Sequence, residues 1–228
     1  MNPHLEVEGL NQQEKAIFEA IKIYLNKNKV FRLEEIIPYL NHNLDKSLNF
    51  NSEKITITLR SLIKKRIIIP GSKFSKEDVL QNIRRNEIYA FIKTHPGSHF
   101  TEIKNTFGFG NNYTTWQVKL LEIFQFIRSS HLQNKTIFFD VKSNPKNDEL
   151  HFYLRNEKVA KIIELLNDNQ SALSVLEISK KLKFHQQTVT KYLSVLKRLK
   201  IVHSELDGSK KVYKLMFDKY QESLNEIS

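Results

Sequence analysis

The hydrophobic and polar positions of the chain repeat one pattern three times, most clearly in residues 155–215. Apolar residues between Val159 and Leu166 recur at helical spacing, which predicts an amphipathic helix. A second helix is predicted to follow, because Ser174 and Glu177 have the Ser-x-x-Glu spacing of a capping box ahead of further apolar residues. Two consecutive amphipathic helices therefore open this copy.

The third helix of this copy is predicted from Gln186 to Lys200, with an apolar face and a cationic face. The residues predicted to be buried on the apolar face are Val189, Leu193, Leu196 and Leu199. Beyond this helix, two segments with the alternation of β-strands flank Asp207-Gly208, a strong signal for a two-residue hairpin turn. Three helices followed by a hairpin are the order of a winged-helix domain.

The middle copy, residues 82–141, repeats these parts in the same order. Its third helix is predicted from Asn112 to Phe126, and a hairpin is predicted with its turn at 133–135. The same winged-helix arrangement is therefore expected here.

The first copy, residues 10–74, departs from the pattern in two places. A long polar insertion, 41–51, separates its second and third helices. Its wing shrinks to 67–72, where Pro70 limits strand pairing. We therefore expect this copy to have lost contact with DNA and to offer a surface for a protein partner instead.

The register of the buried positions supports the repeat. Leu59, Val118 and Leu193 correspond, at intervals of 59 and then 75 residues. Because a linker at 142–148 absorbs the longer second interval, the three copies are expected to share one fold.

The predicted fold class is therefore mainly α with small β-hairpin wings, in three tandem winged-helix domains. Domain 1 with a degenerate wing spans 1–80, domain 2 spans 81–141, and a linker with domain 3 spans 142–215. An amphipathic C-terminal helix spans 216–228. That helix is expected either to pack on domain 3 or to form a dimer contact.

Composition excludes several kinds of chemistry. The 228 residues contain no cysteine, which excludes disulfides, thiol chemistry and Cys-containing zinc sites. The eight histidines form no His-Glu-x-x-His motif and no Gly-rich phosphate loop is present, so no enzyme, cofactor or metal site is expected. Because no apolar run approaches a membrane span and the first residues lack signal-peptide features, we expect a cytoplasmic, nucleoid-associated protein without a membrane partner.

The charge distribution favours an anionic partner. The formal net charge is +11. Between Ser174 and Leu215, ten Lys and Arg residues stand against only Glu177, Glu205 and Asp207. This excess coincides with the third helix and hairpin of the last copy, which predicts a cationic surface for nucleic acid.

Three segments, one in the last copy and two in the middle copy, resemble known families. The run from Gln187 to Val202, QTVTKYLSVLKRLKIV, resembles the recognition helix and first wing strand of ArsR/MarR-type winged-helix regulators. HPGSHFTEI from His95 and NYTTWQVKLLE from Asn112 resemble winged helices of archaeal transcription regulators. The resemblance implies that three positions after a buried residue face the major groove. By that carry-over, the groove-facing residues of the three copies are Thr56, Ile57 and Thr58; Thr115, Trp116 and Gln117; and Thr190, Lys191 and Tyr192.

A winged helix places its third helix in the major groove while the wing holds the phosphate backbone. Glutamines suit adenine edges, and a lysine can reach guanine or a phosphate. The residues predicted to bind DNA in the last copy are Gln186, Gln187, Thr188, Thr190, Lys191, Tyr192, Lys197, Lys210 and Lys211.

The middle copy offers a second, weaker set of DNA-binding candidates. These residues are Asn112, Tyr113, Thr115, Trp116 and Lys119. Aromatic residues on a helix are more often core than reading groups. If Tyr113 and Trp116 are exposed, a protein or small-molecule contact becomes as plausible as DNA.

The sequence therefore predicts a regulator of transcription that binds double-stranded DNA, with domain 3 as the strongest reader. A homodimer on a palindromic site and a monomer with three contacts are both open. The alternative is a tandem winged-helix scaffold for protein assembly, similar to ESCRT-II subunits or chromosome-organising accessory proteins.

Overall fold

The computed structural model describes residues 9–28, 30–44, 49–169 and 171–227, with side chains up to Leu224. The predicted insertion 41–51 lies partly outside these residues. The described chain is mainly helical, with two small antiparallel sheets, as predicted.

The described residues up to Ser130, together with Thr136–Lys142, form one compact unit. Its elements are α1 (Gln12–Lys27), α2 (Leu33–Asn43), α3 (Ser52–Lys64), α4 (Lys76–Gln81), α5 (Ile83–Thr94), β1 (Ser98–His99), α6 (Phe100–Phe107), α7 (Asn111–Ile123), β2 (Ile127–Leu132) and β3 (Lys135–Asp140). Residues 131–135, around the β2–β3 turn, belong to the other unit.

The second unit contains 131–135 and the described residues from Ser143 onward. It begins with a short 3₁₀ turn at Pro145–Asn147. Its elements are α8 (Asp148–Leu154), α9 (Glu157–Asp168), β4 (Leu173–Ser174), α10 (Val175–Leu182), α11 (Gln186–Arg198), β5 (Val202–Asp207), β6 (Lys210–Leu215) and α12 (Phe217–Ile227).

Among the described residues, buried apolar side chains gather into three clusters. One contains Ile17 and Leu59, a second contains Ile88 and Leu121, and a third contains Leu193. The first cluster lies within the first copy. The other two lie mainly in the middle and last copies and also include residues that precede them, such as Val79 and Leu150. This distribution supports the predicted repeat, and the count of three domains stays a prediction.

The third helices of the three copies have the same length and the same ending. Each of α3, α7 and α11 has 13 residues. Two residues beyond each helix the chain turns through a left-handed residue: Arg66, Gln125 or Lys200. The next amide then donates to a carbonyl five residues back, as Ile201 does to Leu196 at 2.9 Å. This pattern is typical of a Schellman ending. It explains why α7 and α11 stop before the predicted Phe126 and Lys200.

The capping box predicted for the second helix of the last copy is confirmed. The Ser174 side chain accepts from the Glu177 amide, and the Glu177 carboxylate accepts from Ser174 in return. This reciprocal pairing satisfies two amides that a helix start leaves without intrahelical partners. It fixes where α10 begins, directly after the two-residue strand β4.

The middle and last copies each contain a β-hairpin, β2–β3 and β5–β6. The sheets have the orders β1-β3-β2 and β4-β6-β5. Asp207 pairs with Lys210, so the last turn consists of Gly208 and Ser209, one residue later than predicted. Among the described residues of the first copy, the sole strand pairing is an isolated bridge from Ile68 to Ser75, just beyond the copy.

Two helices outside the predicted pattern complete the cores. Val79 of α4 lies in the cluster of the middle copy, and Leu150 of α8 lies in that of the last copy. The predicted terminal helix is present as α12, where Tyr220 packs against the cluster of the second unit. Within the described parts of the chain, none of the helices has the length and apolar composition needed to cross a bilayer.

Candidate nucleic-acid interface

The first half of α11 presents a polar face to solvent. Val189 and Leu193 are fully buried and fix the rotation of the helix. Residues on the opposite side then point outward, because a helix repeats every 3.6 residues. The exposed residues on that side are Gln187, Thr190 and Lys191, and Thr188 is half-buried. Gln186 is also exposed, because it lies in the first turn of the helix, although it is on the same side as Leu193.

Tyr192 lies at the edge of this face. It is half-buried and packs against the core cluster of the second unit. Lys191 Nζ lies 5.9 Å from the centroid of the Tyr192 ring. The Tyr192 ring therefore contacts both the core cluster and the side chain of Lys191.

The groove-facing assignment carried over from the resemblance is wrong at the third position of the first two copies. Thr58 and Gln117 are buried, and Gln117 accepts a hydrogen bond from buried Arg85. These residues sit three positions after the buried Ile55 and Thr114, so helical geometry turns them toward the same side.

The wing continues the cationic surface of α11. Lys197 in the last turn of α11 donates to the Ser204 hydroxyl of β5 at 2.8 Å. Lys210 and Lys211, at the start of β6, are exposed. Leu206 pairs across the hairpin with Lys211 and is 75% exposed. The hairpin thus presents two lysines and one apolar side chain near its tip.

The neighbouring acidic groups form no ion pair with these lysines. Within the described residues, no carboxylate lies within ion-pair distance of Lys191, Lys210 or Lys211. Lys210 nevertheless interacts electrostatically with Glu177 and lies opposite Asp207 across the hairpin. Glu177 is held by the capping box, where hydrogen bonds from the Ser174 hydroxyl and amide lower the pKa of its carboxyl below the usual value. Arg198, in contrast, is paired with Glu149.

The predicted residues of the middle copy are exposed, but the aromatic ones are already engaged. Tyr113 packs against Phe109, with ring centroids 4.9 Å apart. The ring centroids of Trp116 and Phe74, the last residue of the first copy, lie 6.3 Å apart. Asn112, Thr115 and Lys119 are left as exposed polar residues of α7. The charge of Lys119 is offset by Glu122 on the same helix, so α7 is not a cationic surface.

Sequence reasoning missed a cationic edge on α3. Lys54, Arg60 and Lys64 are all exposed and lie on one side of the helix, within an arc of about 120°. Only Glu53, in the first turn, opposes them on this helix. Ile57 lies between them and is 59% exposed. The positions of the three cations in the sequence could have identified this edge. The prediction for this helix rested instead on Ile57, which corresponds to Lys191 of the last copy and cannot form a hydrogen bond through its side chain.

No protein-family model matches the chain. An uncharacterized HTH-type transcriptional regulator of Methanocaldococcus jannaschii is 32% identical over 138 residues, which is 60% of this chain and 34% of that protein. The chain thus spans about a third of the length of this relative. A crystal structure of a bacterial selenocysteine-specific elongation factor matches 90% of this chain and 30% of its own, at 15% identity. Its TM-score of 0.27 is too low to support an argument.

Proposed function

We propose that the chain is a DNA-binding regulator of transcription and that its second unit binds duplex DNA through α11 and the hairpin β5–β6. The observation that carries this proposal is the set of exposed lysines Lys191, Lys210 and Lys211 around the polar face of α11. The likeness to an HTH-type transcriptional regulator supports it. No catalytic activity is proposed, and the site of action is the nucleoid.

The residue types on α11 and its wing are suited to different contacts with DNA. Gln186 and Gln187 stand at the helix start, where side chains reach base edges, and glutamine can pair with adenine in two places. Lys191 reaches a guanine or a phosphate, while Thr190 contacts a thymine methyl or a phosphate. Lys197, Lys210 and Lys211 hold phosphates and set the register of the helix.

We also propose that α3 adds a phosphate-binding edge through Lys54, Arg60 and Lys64. The three cations have no ion-pair partner among the described carboxylates. Phosphate contacts contribute affinity without reading sequence. The first copy then makes an auxiliary contact with DNA. Among the third helices of the three copies, α7 contributes least to DNA binding.

Selection of bound fragments from random duplex DNA tests the proposal. The full chain is expected to enrich one motif, and a palindromic motif would indicate a homodimer. The variant Gln186→Ala/Gln187→Ala is expected to lose the preference at the adenine positions of that motif. If no motif is enriched and binding to duplex is undetectable at low salt, the protein is a scaffold for other proteins instead.

A further inference from the structure

Residues 69–74, at the end of the first copy, and helix α7 line an apolar cleft within the first unit. Its volume is about 430 Å³, within the range of small-molecule sites. The cleft is lined by Val30, residues 69–74, Trp116, Leu120, Ile123 and Phe124. Trp116, Leu120 and Ile123 lie on one face of α7, at helical spacing. This face therefore lines a cleft that the proposed DNA contacts do not use.

Two aromatic rings of the cleft are in contact with a buried guanidinium. The Arg85 guanidinium carbon lies 5.3 Å from the centroid of Phe74 and 5.2 Å from that of Trp116. Arg85 is only 1% exposed, whereas Trp116 is 45% exposed. A cation over the face of an aromatic ring is attracted to the electron density of that ring and polarises it toward the cation. The open part of Trp116 is therefore suited to stacking with an electron-rich aromatic ring.

The charge of Arg85 lacks an anionic partner. Its Nε donates to Gln117 Oε1 at 2.8 Å, and one terminal nitrogen donates to the Val79 carbonyl at 2.7 Å. Both acceptors are neutral, and none of the described carboxylates forms an ion pair with Arg85. Burial lowers the pKa of the guanidinium, yet an arginine stays charged at neutral pH. A positive potential is thus left beneath the rings.

The rim of the cleft carries a second positive charge. Lys73 is exposed, and its Nζ lies 5.0 Å from the centroid of Phe74. No Asp or Glu is among the lining residues, which are otherwise apolar except for Ser72. The cleft therefore combines an aromatic wall with cations on two sides.

We propose that this cleft binds a small planar aromatic carboxylate. The ring of the ligand stacks on Trp116 and fills the space beside Leu120, while its carboxylate pairs with Lys73. An apolar site with one placed charge gives a ligand both its affinity and its orientation. This inference does not rest on the DNA-binding proposal, because the proposed contacts of α11 and α3 are elsewhere.

The single tryptophan of the chain gives a direct readout. Titration of the full-length protein with naphthoate is expected to shift the indole N–H signal of Trp116 in a proton–nitrogen NMR spectrum, with saturation. Neutral naphthamide is expected to bind about tenfold more weakly, because it lacks the charge that Lys73 recognises. Lys73→Gln should weaken naphthoate by a similar factor and leave naphthamide unchanged.

Two further variants keep the test decisive. Lys93→Gln removes an exposed lysine of α5 that does not line the cleft and should leave naphthoate binding unchanged. Trp116→Ala, checked for folding by circular dichroism, should abolish the heat of naphthoate binding in calorimetry. An indole signal that does not move at millimolar naphthoate would overturn the proposal. Equal binding of naphthoate and naphthamide, with no effect of Lys73→Gln, would overturn its claim of an anionic ligand.

Discussion

The ammonium of Lys197 donates a 2.8 Å hydrogen bond to the hydroxyl of Ser204, which ties the last turn of α11 to the first strand of the wing. Both side chains are solvent-accessible, so the bond contributes little to stability. Its consequence is positional, because it holds a cation at the junction between the helix and the wing.

Lys197→Ala is expected to weaken DNA binding, since one phosphate contact is lost. The slope of log affinity against log salt should become less steep by about 0.9. Ser204→Ala should change affinity less than Lys197→Ala does and should alter the free energy of unfolding by no more than about 0.5 kcal/mol. Fluorescence anisotropy and urea denaturation measure the two quantities. An unchanged salt slope in Lys197→Ala would place this lysine outside the interface.

A second prediction concerns Glu14, which is 2% exposed at the start of α1. Its carboxylate accepts from Lys65 at 2.7 and 2.8 Å and from Ser61 at 2.7 Å. Burial alone would raise the pKa of this carboxyl, but the hydrogen bonds from Lys65, Asn11 and Ser61 outweigh burial and lower it. Glu14→Gln should therefore cost about 1–3 kcal/mol of unfolding free energy at neutral pH.

The sign of the pH dependence follows from the direction of that shift. Because the folded-state pKa of Glu14 is lower than its ordinary value of 4.5, the stabilisation is present above that value. It is lost as the pH falls from there through the folded pKa. Denaturation at a series of pH values should show wild type and Glu14→Gln converging below pH 4.5. A constant difference across this range would show that the charge of Glu14 contributes nothing.

A third prediction concerns the buried pair of Arg85 and Gln117. The Gln117 oxygen is the acceptor for Arg85 Nε, whereas the Gln117 amide nitrogen is buried and has no partner. Gln117→Leu should destabilise the first unit by about 1–3 kcal/mol, because a buried donor on Arg85 loses its acceptor. Thr115→Val, at an exposed position of the same helix, is the control and should stay within about 0.5 kcal/mol of wild type. Equal stability of both variants in thermal denaturation would contradict the role given to Gln117.

A fourth prediction tests the edge on α3. Replacing Lys54, Arg60 and Lys64 together with Ala should make the salt slope of DNA binding less steep by about 2–3, because up to three phosphate contacts are removed. The sequence preference should not change. The matched control replaces Lys15, Lys27 and Lys93, three exposed lysines of the first unit outside α3. If both triple variants behave alike, α3 contributes only its share of the net charge.

Much of the fold could be predicted from the sequence because its signals are local. The stripe of Val189, Leu193 and Leu196 and the capping box at Ser174 depend on neighbours within a few residues. Strand alternation around Gly208 located the last hairpin to within one residue. The ends of α7 and α11, at Ile123 and Arg198, were missed. The left-handed turns that follow them lie at Gln125 and Lys200, and such turns at residues other than glycine leave little mark in a sequence.

The candidate site was only partly predictable, because its parts depend on tertiary contacts. That Trp116 meets Phe74 and Arg85 follows from packing between separate elements, which spacing along the chain does not reveal. The exposure of Lys191, in contrast, follows from the buried positions on either side of it in the same helix. Sequence reasoning therefore located the cationic face of α11 and missed the cleft beside α7.

The salt dependence of DNA binding tests the central claim most directly. For the wild-type chain, affinity for the selected duplex should fall steeply between about 50 and 200 mM salt, since each neutralised phosphate adds about 0.9 to the slope. Replacing Lys191, Lys210 and Lys211 together with Ala should lower that slope by about 2–3, while the control that replaces Lys15, Lys27 and Lys93 should not. A shallow slope for wild type, or equal slopes for the two triple variants, would contradict the claim that α11 and its wing form the DNA-binding surface.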